Sequence, residues 1–179
     1  MIAIIRLARL EDAPGIAKVQ VDSWRTSYKG LIADEFLAAL SYEHRTQVWS
    51  QNLTDPQNGS FLYVAETKPG EMVGFVSGGP EREGDPNYLG ELYAIYLLQQ
   101  AKRKGLGRKL VDIVMRELCE RGFSSMLLWV LKDNLPARKF YEEVGGAYLR
   151  EKPIAIGNQN LIEVAYGWKN LLSRVPIKE

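Results

Sequence analysis

A single cysteine, Cys119, and a single histidine, His44, stand in a chain of 179 residues. One thiol cannot build an internal disulfide framework, and no Cys/His grouping has zinc-ligand spacing, so no metal is expected. His44, in the polar helix-like stretch "SYEHRTQVW", has no nucleophile near it to form a triad. Neither charge dominates: 23 Lys and Arg face 22 Asp and Glu, a net of +1 with a pI near 7.8. No global field therefore draws a polyanion, and any anion site must be local. No apolar run approaches the ~20 residues that span a bilayer. The opening "MIAIIRLARLEDAP" lacks a signal-peptide core of sufficient length, so a cytoplasmic protein with no membrane partner is expected.

What is present suits one soluble domain with a real core: 46% hydrophobic and 25% charged residues in 20.3 kDa. "AIIRLARL" alternates as a strand, and Asp12 with Pro14 opens a helix carrying Ile16, Val19, Trp24 and Tyr28 up to a stop at Gly30. Asp34 is placed to cap a second helix, and Ser41 a third through Trp49. "FLYVAE" and "MVGFVSGG" flank the turn signal Pro69-Gly70 as a hairpin. "YLGELYAIYLL" is a long strand, followed by a helix with Leu106, Leu110, Val111, Val114 and Leu118 on one side and Gly122 at its end. Then come strand "SMLLWVL", a helix from Pro136 to about Val144, and strands "AYLRE" and "LIEVAYGW". A strand, helix, strand unit over 88–131 implies a parallel pair, whereas the hairpin before it is antiparallel. The expectation is an α/β (α+β) fold: one mixed, mostly antiparallel central sheet with helices on both faces. The domain is set at 1–170 and a loose C-terminal tail at 171–179.

The stretch "KRKGLGRK" falls at a strand-to-helix turn, where the first helical turn presents unpaired N–H groups and the positive end of the dipole. Gly105 and Gly107 carry no Cβ to block a phosphate, so this reads as an anion-binding turn. It is neither the dinucleotide fingerprint, whose third glycine position holds Leu110, nor a P-loop, which needs Lys and Ser/Thr after the second glycine. A charged helix start left in solvent is the plainer alternative. Basic octamers also mark nucleic-acid binding, but no second basic stripe or run of exposed aromatics accompanies this one, so no nucleic-acid partner is expected.

Together, "ELYAIYLLQQAKRKGLGRKLV" and "NLPARKFYEEVGG" resemble the two acetyl-CoA-binding motifs of the GNAT superfamily of N-acetyltransferases. The resemblance spans the strand order from about residue 61 to 168 and is best from Glu91 to Gly145. "IRLARLEDAPGIAKVQVDSW" resembles the opening strand and helix of small bacterial-type members. The family motif Gln/Arg-x-x-Gly-x-Gly/Ala appears as Lys102-x-x-Gly105-x-Gly107, with Lys102 a departure and Gln99 where proline is common. The resemblance implies the acyl-CoA N-acyltransferase fold, acetyl-CoA as co-substrate, a small-molecule or peptide amine acceptor and, as an expectation for the family, a homodimer. Backbone groups of Ile95, Tyr96 and Leu97 would pair with the pantetheine arm. Residues Arg103, Lys104, Gly105, Leu106, Gly107 and Arg108 would wrap the pyrophosphate.

The chemistry demanded is specific. A lysine-like amine of pKa ~10.4 is neutral in only about one molecule in 2,500 at pH 7, a deficit of about 4.6 kcal/mol that a proton acceptor relieves. By the resemblance, Glu91 on the long strand is the candidate base, with a strand-edge charge as its ordinary reading. A thiolate of pKa ~8.5 leaves, and a tyrosine near ~10 can protonate it; Tyr141 matches the family's acid, although it could equally be a core aromatic beside Phe140. Asn134, two residues before Pro136, is a helix N-cap that the resemblance also places near the pantetheine. The Leu97 N–H, where the family's strand bulges, would hold the oxyanion. Cys119 lies too far along its helix to carry an acyl group. Trp24 and Tyr28 would wall the acceptor site, with Asp22, Asp34 or Glu35 as anchors. Two further classes stay open: a non-catalytic acyl-CoA sensor on the same fold, and the nucleic-acid module.

Overall fold

A computed structural model describes residues 3–55 and 59–174. Its elements are β1 (Ile4–Leu7), α1 (Ala13–Ser27), α2 (Asp34–Ala38), α3 (Tyr42–Thr54), β2 (Phe61–Glu66), β3 (Met72–Pro80), β4 (Gly90–Leu97), α4 (Leu106–Glu120), β5 (Met126–Leu131), α5 (Leu135–Glu143), β6 (Ala147–Ile156) and β7 (Gln159–Trp168). The strands form one seven-stranded sheet in the order β1-β2-β3-β4-β5-β7-β6. Every neighbouring pair is antiparallel except β4 and β5, which α4 connects as a crossover.

Two apolar layers sandwich this sheet. On one face Ile16, Ala17 and Val19 of α1 and Trp49 of α3 pack on Leu62, Val64 and Phe75. On the other, Leu106, Leu110, Val114 and Leu118 of α4 and Tyr141 and Val144 of α5 cover Val76, Met126, Leu128, Val164, Tyr166 and Trp168. The helix starts follow the sequence signals. Pro14 lies in the first turn of α1, Ser41 accepts the His44 N–H at 3.1 Å, and Asn134 accepts the Ala137 N–H at 3.3 Å. Asp12 takes both Arg6 guanidinium nitrogens (2.7 and 2.8 Å) and the Arg9 N–H (2.7 Å), tying the head of α1 to β1. Arg6 also reaches Glu66 of β2 at 2.9 Å.

Some boundaries differ from the sequence expectation. α1 ends at Ser27 rather than reaching Gly30, because Tyr28 leaves helical geometry (φ −105°, ψ 6°) and the Leu31 and Ile32 N–H groups both fold back onto its carbonyl at 2.9 Å. Ala33, not Asp34, is the N-cap of α2. β6 continues to Ile156 instead of stopping near Glu151; it is an edge strand, where Pro153 is tolerated. At the far end, the helical turn Leu171–Ser173 buries Leu171 completely, so packing runs beyond residue 170; of the expected tail, 175–179 lie outside the described residues. No helix among the described residues is long and apolar enough to cross a membrane.

Candidate active site

The sheet opens at β4. This strand pairs with β3 from Pro80↔Gly90 to Gly74↔Leu97, but with β5 only at Gly90↔Met126 and Glu91↔Leu127. The Leu98 N–H donates to Val73 O at 2.9 Å. Antiparallel strands alternate the direction of their polar groups, so Tyr96 and Ala94 also face β3 while Ile95 and Leu97 turn theirs to the open side. A bare strand edge can take an extended ligand as an added strand. The expectation that Ile95, Tyr96 and Leu97 all offer backbone groups is thereby corrected: the Tyr96 backbone belongs to the β3 ladder, and the residue brings only its side chain. The Leu97 carbonyl accepts from Ser23 Oγ of α1 at 3.1 Å, leaving its N–H toward the opening. A second correction concerns the irregularity of β4. The register slips between Ser77 and Gly78 and makes Tyr93 the extra residue, so the bulge is at Tyr93 and not at Leu97.

Beyond β4 the chain turns through Arg103 (φ 58°) and Gly105 (φ 78°), both left-handed, into α4. Left-handed residues ahead of a helix gather successive N–H groups into a concavity that favours an anion. Leu106, Gly107 and Arg108 add N–H groups without intrahelical acceptors. Arg103, Lys104 and Arg108 are exposed around it, with Arg108 Nη2 donating to Glu143 O at 3.3 Å. Lys102 turns away: its Nζ donates to Ser27 Oγ at 2.8 Å, and burial lowers its pKa. The two glycines have different reasons. A Cβ on Gly105 would meet nothing within 4 Å, so that residue is required by its backbone angle. A Cβ on Gly107 would sit 3.2 Å from Phe140 Cζ, so its smallness also lets α4 approach α5.

At the mouth of the opening, α1, β4 and α5 bring three tyrosines together. Tyr141 is 8% exposed and its hydroxyl has no hydrogen-bond partner among the described residues. Burial first, and the nearby Tyr96 second, push its pKa well above the usual phenol value. Burial does the same to Tyr96 and Tyr28, and the charges of Tyr96 and Tyr141 are both felt at Tyr28. Trp24 stands edge-on to Tyr28 at 5.0 Å and 6.3 Å from Tyr96, with Phe36 of α2 on another side at 6.3 Å. Its Nε1 is buried with the Tyr96 hydroxyl beside it, short of a well-formed hydrogen bond. The hairpin of β6 and β7 roofs this aromatic group: Ile154, Ile156 and Leu161 pack with Ile32 and Leu37, and Gln159 accepts the Ala33 N–H at 2.6 Å.

Charged side chains line the remaining side. Glu91 is 2% exposed and accepts three hydrogen bonds from Arg82, at 2.5 and 3.0 Å from the guanidinium and 3.2 Å from the backbone N–H. Arg82 also stacks 4.3 Å from the Tyr93 ring centroid. Lys152 of β6 lies 4.0 Å above the Trp129 ring, bonds to Glu83, and sits 3.5 Å from Glu163 of β7. Of the expected anchors, Asp22 is engaged instead with Lys18 (2.5 Å) and Tyr42 (2.6 Å) on the outer side of α1. His44 is exposed.

A family model described as the acetyltransferase (GNAT) family matches residues 20–146. The chain belongs to that family. Like GNAT enzymes generally, it is an acetyltransferase that uses acetyl-CoA. It is 40% identical over 168 residues to an uncharacterized N-acetyltransferase of Bacillus subtilis (strain 168), YuaI, with 93% of both chains covered. It is 31% identical over 158 residues to a mycothiol acetyltransferase of Rhodococcus erythropolis, covering 79% of this chain and 53% of that one, so it spans about half the length of that relative. Among solved structures, the PaiA N-acetyltransferase of Thermoplasma acidophilum in complex with coenzyme A superimposes with a TM-score of 0.76 at 19% identity, over 94% of this chain and 99% of that one, a likeness of fold.

The GNAT motifs thus led to the opening and the turn, and the structure gathers Trp24, Tyr28, Tyr96 and Tyr141 beside them. Sequence reasoning missed Glu163 and Lys152. In "LIEVAYGW" the structure inverts the expected alternation: Ile162 is 38% exposed while the Glu163 side chain is 13% exposed. An apolar residue outside and a carboxylate inside mark a strand position held for something other than packing.

Proposed function

We propose that this GNAT enzyme transfers the acetyl group of acetyl-CoA to a primary amine of a small molecule or peptide by direct attack, in the cytoplasm. The observation that carries the reading is the opening between β4 and β5, with a bare strand edge on one side, a left-handed N–H turn at one end and the Tyr141 hydroxyl at the other. Ile95 and the Leu97 N–H would pair with the pantetheine arm. The turn Arg103, Lys104, Gly105, Leu106, Gly107 and Arg108 would take the pyrophosphate through backbone N–H groups, with the basic side chains adding charge-assisted bonds.

In this reading Tyr141 protonates the departing thiolate. Burial raises the energy of its phenolate, but it raises that of the thiolate as well, so the proton moves as sulfur charge develops. Asn134 fixes the first turn of α5 and thereby the place of Tyr141. Trp24 and Tyr28 form the acceptor wall. Glu91, with its oxygens held by Arg82, supports the segment 81–89 over the cleft more directly than it supports proton transfer. An enzyme is favoured over a non-catalytic acyl-CoA sensor because an uncommitted tyrosine hydroxyl stands at the opening, which binding alone would not require.

The test is calorimetric titration with acetyl-CoA followed by a thiol-release assay over amines, amino acids, aminoglycosides and peptide N-termini. Binding with amine-dependent thiol release supports the proposal. Binding with no release across the panel favours the sensor.

A further inference from the structure

We infer that Glu163 is the residue that receives the acceptor amine, binding its ammonium group and taking its proton, and that the acceptor is therefore cationic. This rests on the acetyl-transfer reading above. Glu163 projects from β7 opposite Leu131 of β5, on the face of the sheet away from Val164 and Tyr166, which point to α4 and α5. Its side chain is 13% exposed. Its register partner Leu131 packs in the cluster that holds Trp24 and Tyr28, which puts the carboxylate on the aromatic side of the opening.

The surroundings already hold an ammonium group. Lys152 Nζ rests 4.0 Å from the Trp129 ring centroid, with Glu163 at 3.5 Å and Glu83 as its closer partner. An aromatic face with carboxylates beside it is a cation site, and here the cation is supplied by a side chain that an incoming amine can displace toward Glu83. The charged and titratable groups facing Glu163 are Lys152 from β6, Glu83 from the segment before β4, Glu91 from β4 and Tyr28 from α1. Burial is the main influence and raises the Glu163 pKa; Lys152 opposes it, and Glu83 and Glu91 reinforce it.

The comparison with Glu91 decides between the two carboxylates. Both oxygens of Glu91 are occupied by Arg82, which donates three hydrogen bonds at 2.5, 3.0 and 3.2 Å and leaves little room for an incoming ammonium group. Among the described residues Glu163 pairs with Lys152 at 3.5 Å, a cation it shares with Glu83. A carboxylate that is buried, near like charges and weakly paired is the better proton acceptor.

The reaction balances as follows. The ammonium R–NH3+ gives one proton to the Glu163 carboxylate and becomes R–NH2. The nitrogen lone pair forms the C–N bond at the thioester carbonyl, and the tetrahedral adduct then breaks its C–S bond. The sulfur takes a proton from Tyr141, whose phenolate is restored through water by the second nitrogen proton. Glu163 releases its proton to solvent. The sum is R–NH3+ plus acetyl-CoA giving R–NH–acetyl, CoA and H+.

The experiment measures kcat/KM against pH for wild type, Glu163→Gln, Glu163→Asp and Glu91→Gln, using the best amine from the panel, with acetyl-CoA affinity measured on each. In Glu163→Gln we expect acetyl-CoA affinity within about twofold of wild type and kcat/KM lowered about 100-fold or more near neutral pH. The remaining rate should climb with pH toward the amine's own pKa, because only the already neutral amine reacts. Glu163→Asp should recover part of the rate and the acid limb, and Glu91→Gln should keep that limb. A Glu163→Gln profile like wild type overturns the inference while leaving acetyl transfer intact. Absence of thiol release by wild type with every amine would instead remove the functional reading on which it rests.

Discussion

At the scale of the residue, Tyr141 and the two motif glycines allow the proposed chemistry to be separated from architecture. Tyr141→Phe removes only a hydroxyl that bonds nothing among the described residues, so folding and acetyl-CoA affinity should be unchanged. Turnover should fall by about 10²-fold if the hydroxyl is the acid, which steady-state kinetics beside calorimetry will show. Gly107→Ala should act differently, because the added methyl meets Phe140 at 3.2 Å. Thermal unfolding should report a net change within about 1 kcal/mol, because the helical preference of alanine offsets the small displacement of Phe140. Gly105→Ala meets no atom but forces a left-handed alanine at φ 78°, a strain of about 1–2 kcal/mol, with acetyl-CoA affinity as the readout of whether the turn reshapes.

At the scale of the element, the start of α5 places Tyr141, the proposed acid. Asn134→Ala removes the acceptor for the Ala137 N–H and should cost about 1 kcal/mol, measurable by denaturant unfolding. Because Tyr141 is on the same short helix, kcat should fall more than acetyl-CoA affinity does. Helix starts such as this were legible in the sequence because Ser, Asn and Pro act locally, and β2, β3 and α4 follow equally local patterns. Motif spacing likewise pointed to Tyr141 and the turn at Gly105. What could not be read was set by tertiary contact. The far half of β6 is hidden by an edge strand's weak alternation. The role of Gly107 depends on Phe140, more than thirty residues away in sequence. The closing of Arg82 on Glu91 depends on how the segment 81–89 folds back, and Glu163 gains its meaning only when β6, β7 and α1 meet.

At the scale of the whole molecule, Arg6, Asp12 and Glu66 link the first strand, the first helix and the hairpin. Hydrogen bonds from Arg6 lower the Asp12 pKa from its ordinary value against the opposing effect of burial. A lowered carboxylate pKa stabilises the fold above the unfolded-state value of ~3.9, and that contribution is lost as pH falls through the folded-state value. Below about pH 4 the wild type should therefore lose stability more steeply than Asp12→Asn, which lacks this titration; thermal midpoints across pH will check it. The seven strands also have a less usual property. Most sheets keep their unpaired edges at the rim, but this one has an additional edge in its middle, where β4 leaves β5. Amide hydrogen exchange should reveal it as a period-two pattern along one continuous strand, with Tyr96 and Leu98 slow and Ile95 and Leu97 fast. Acetyl-CoA should slow the fast pair alone, so the co-substrate would be detected as the missing eighth strand.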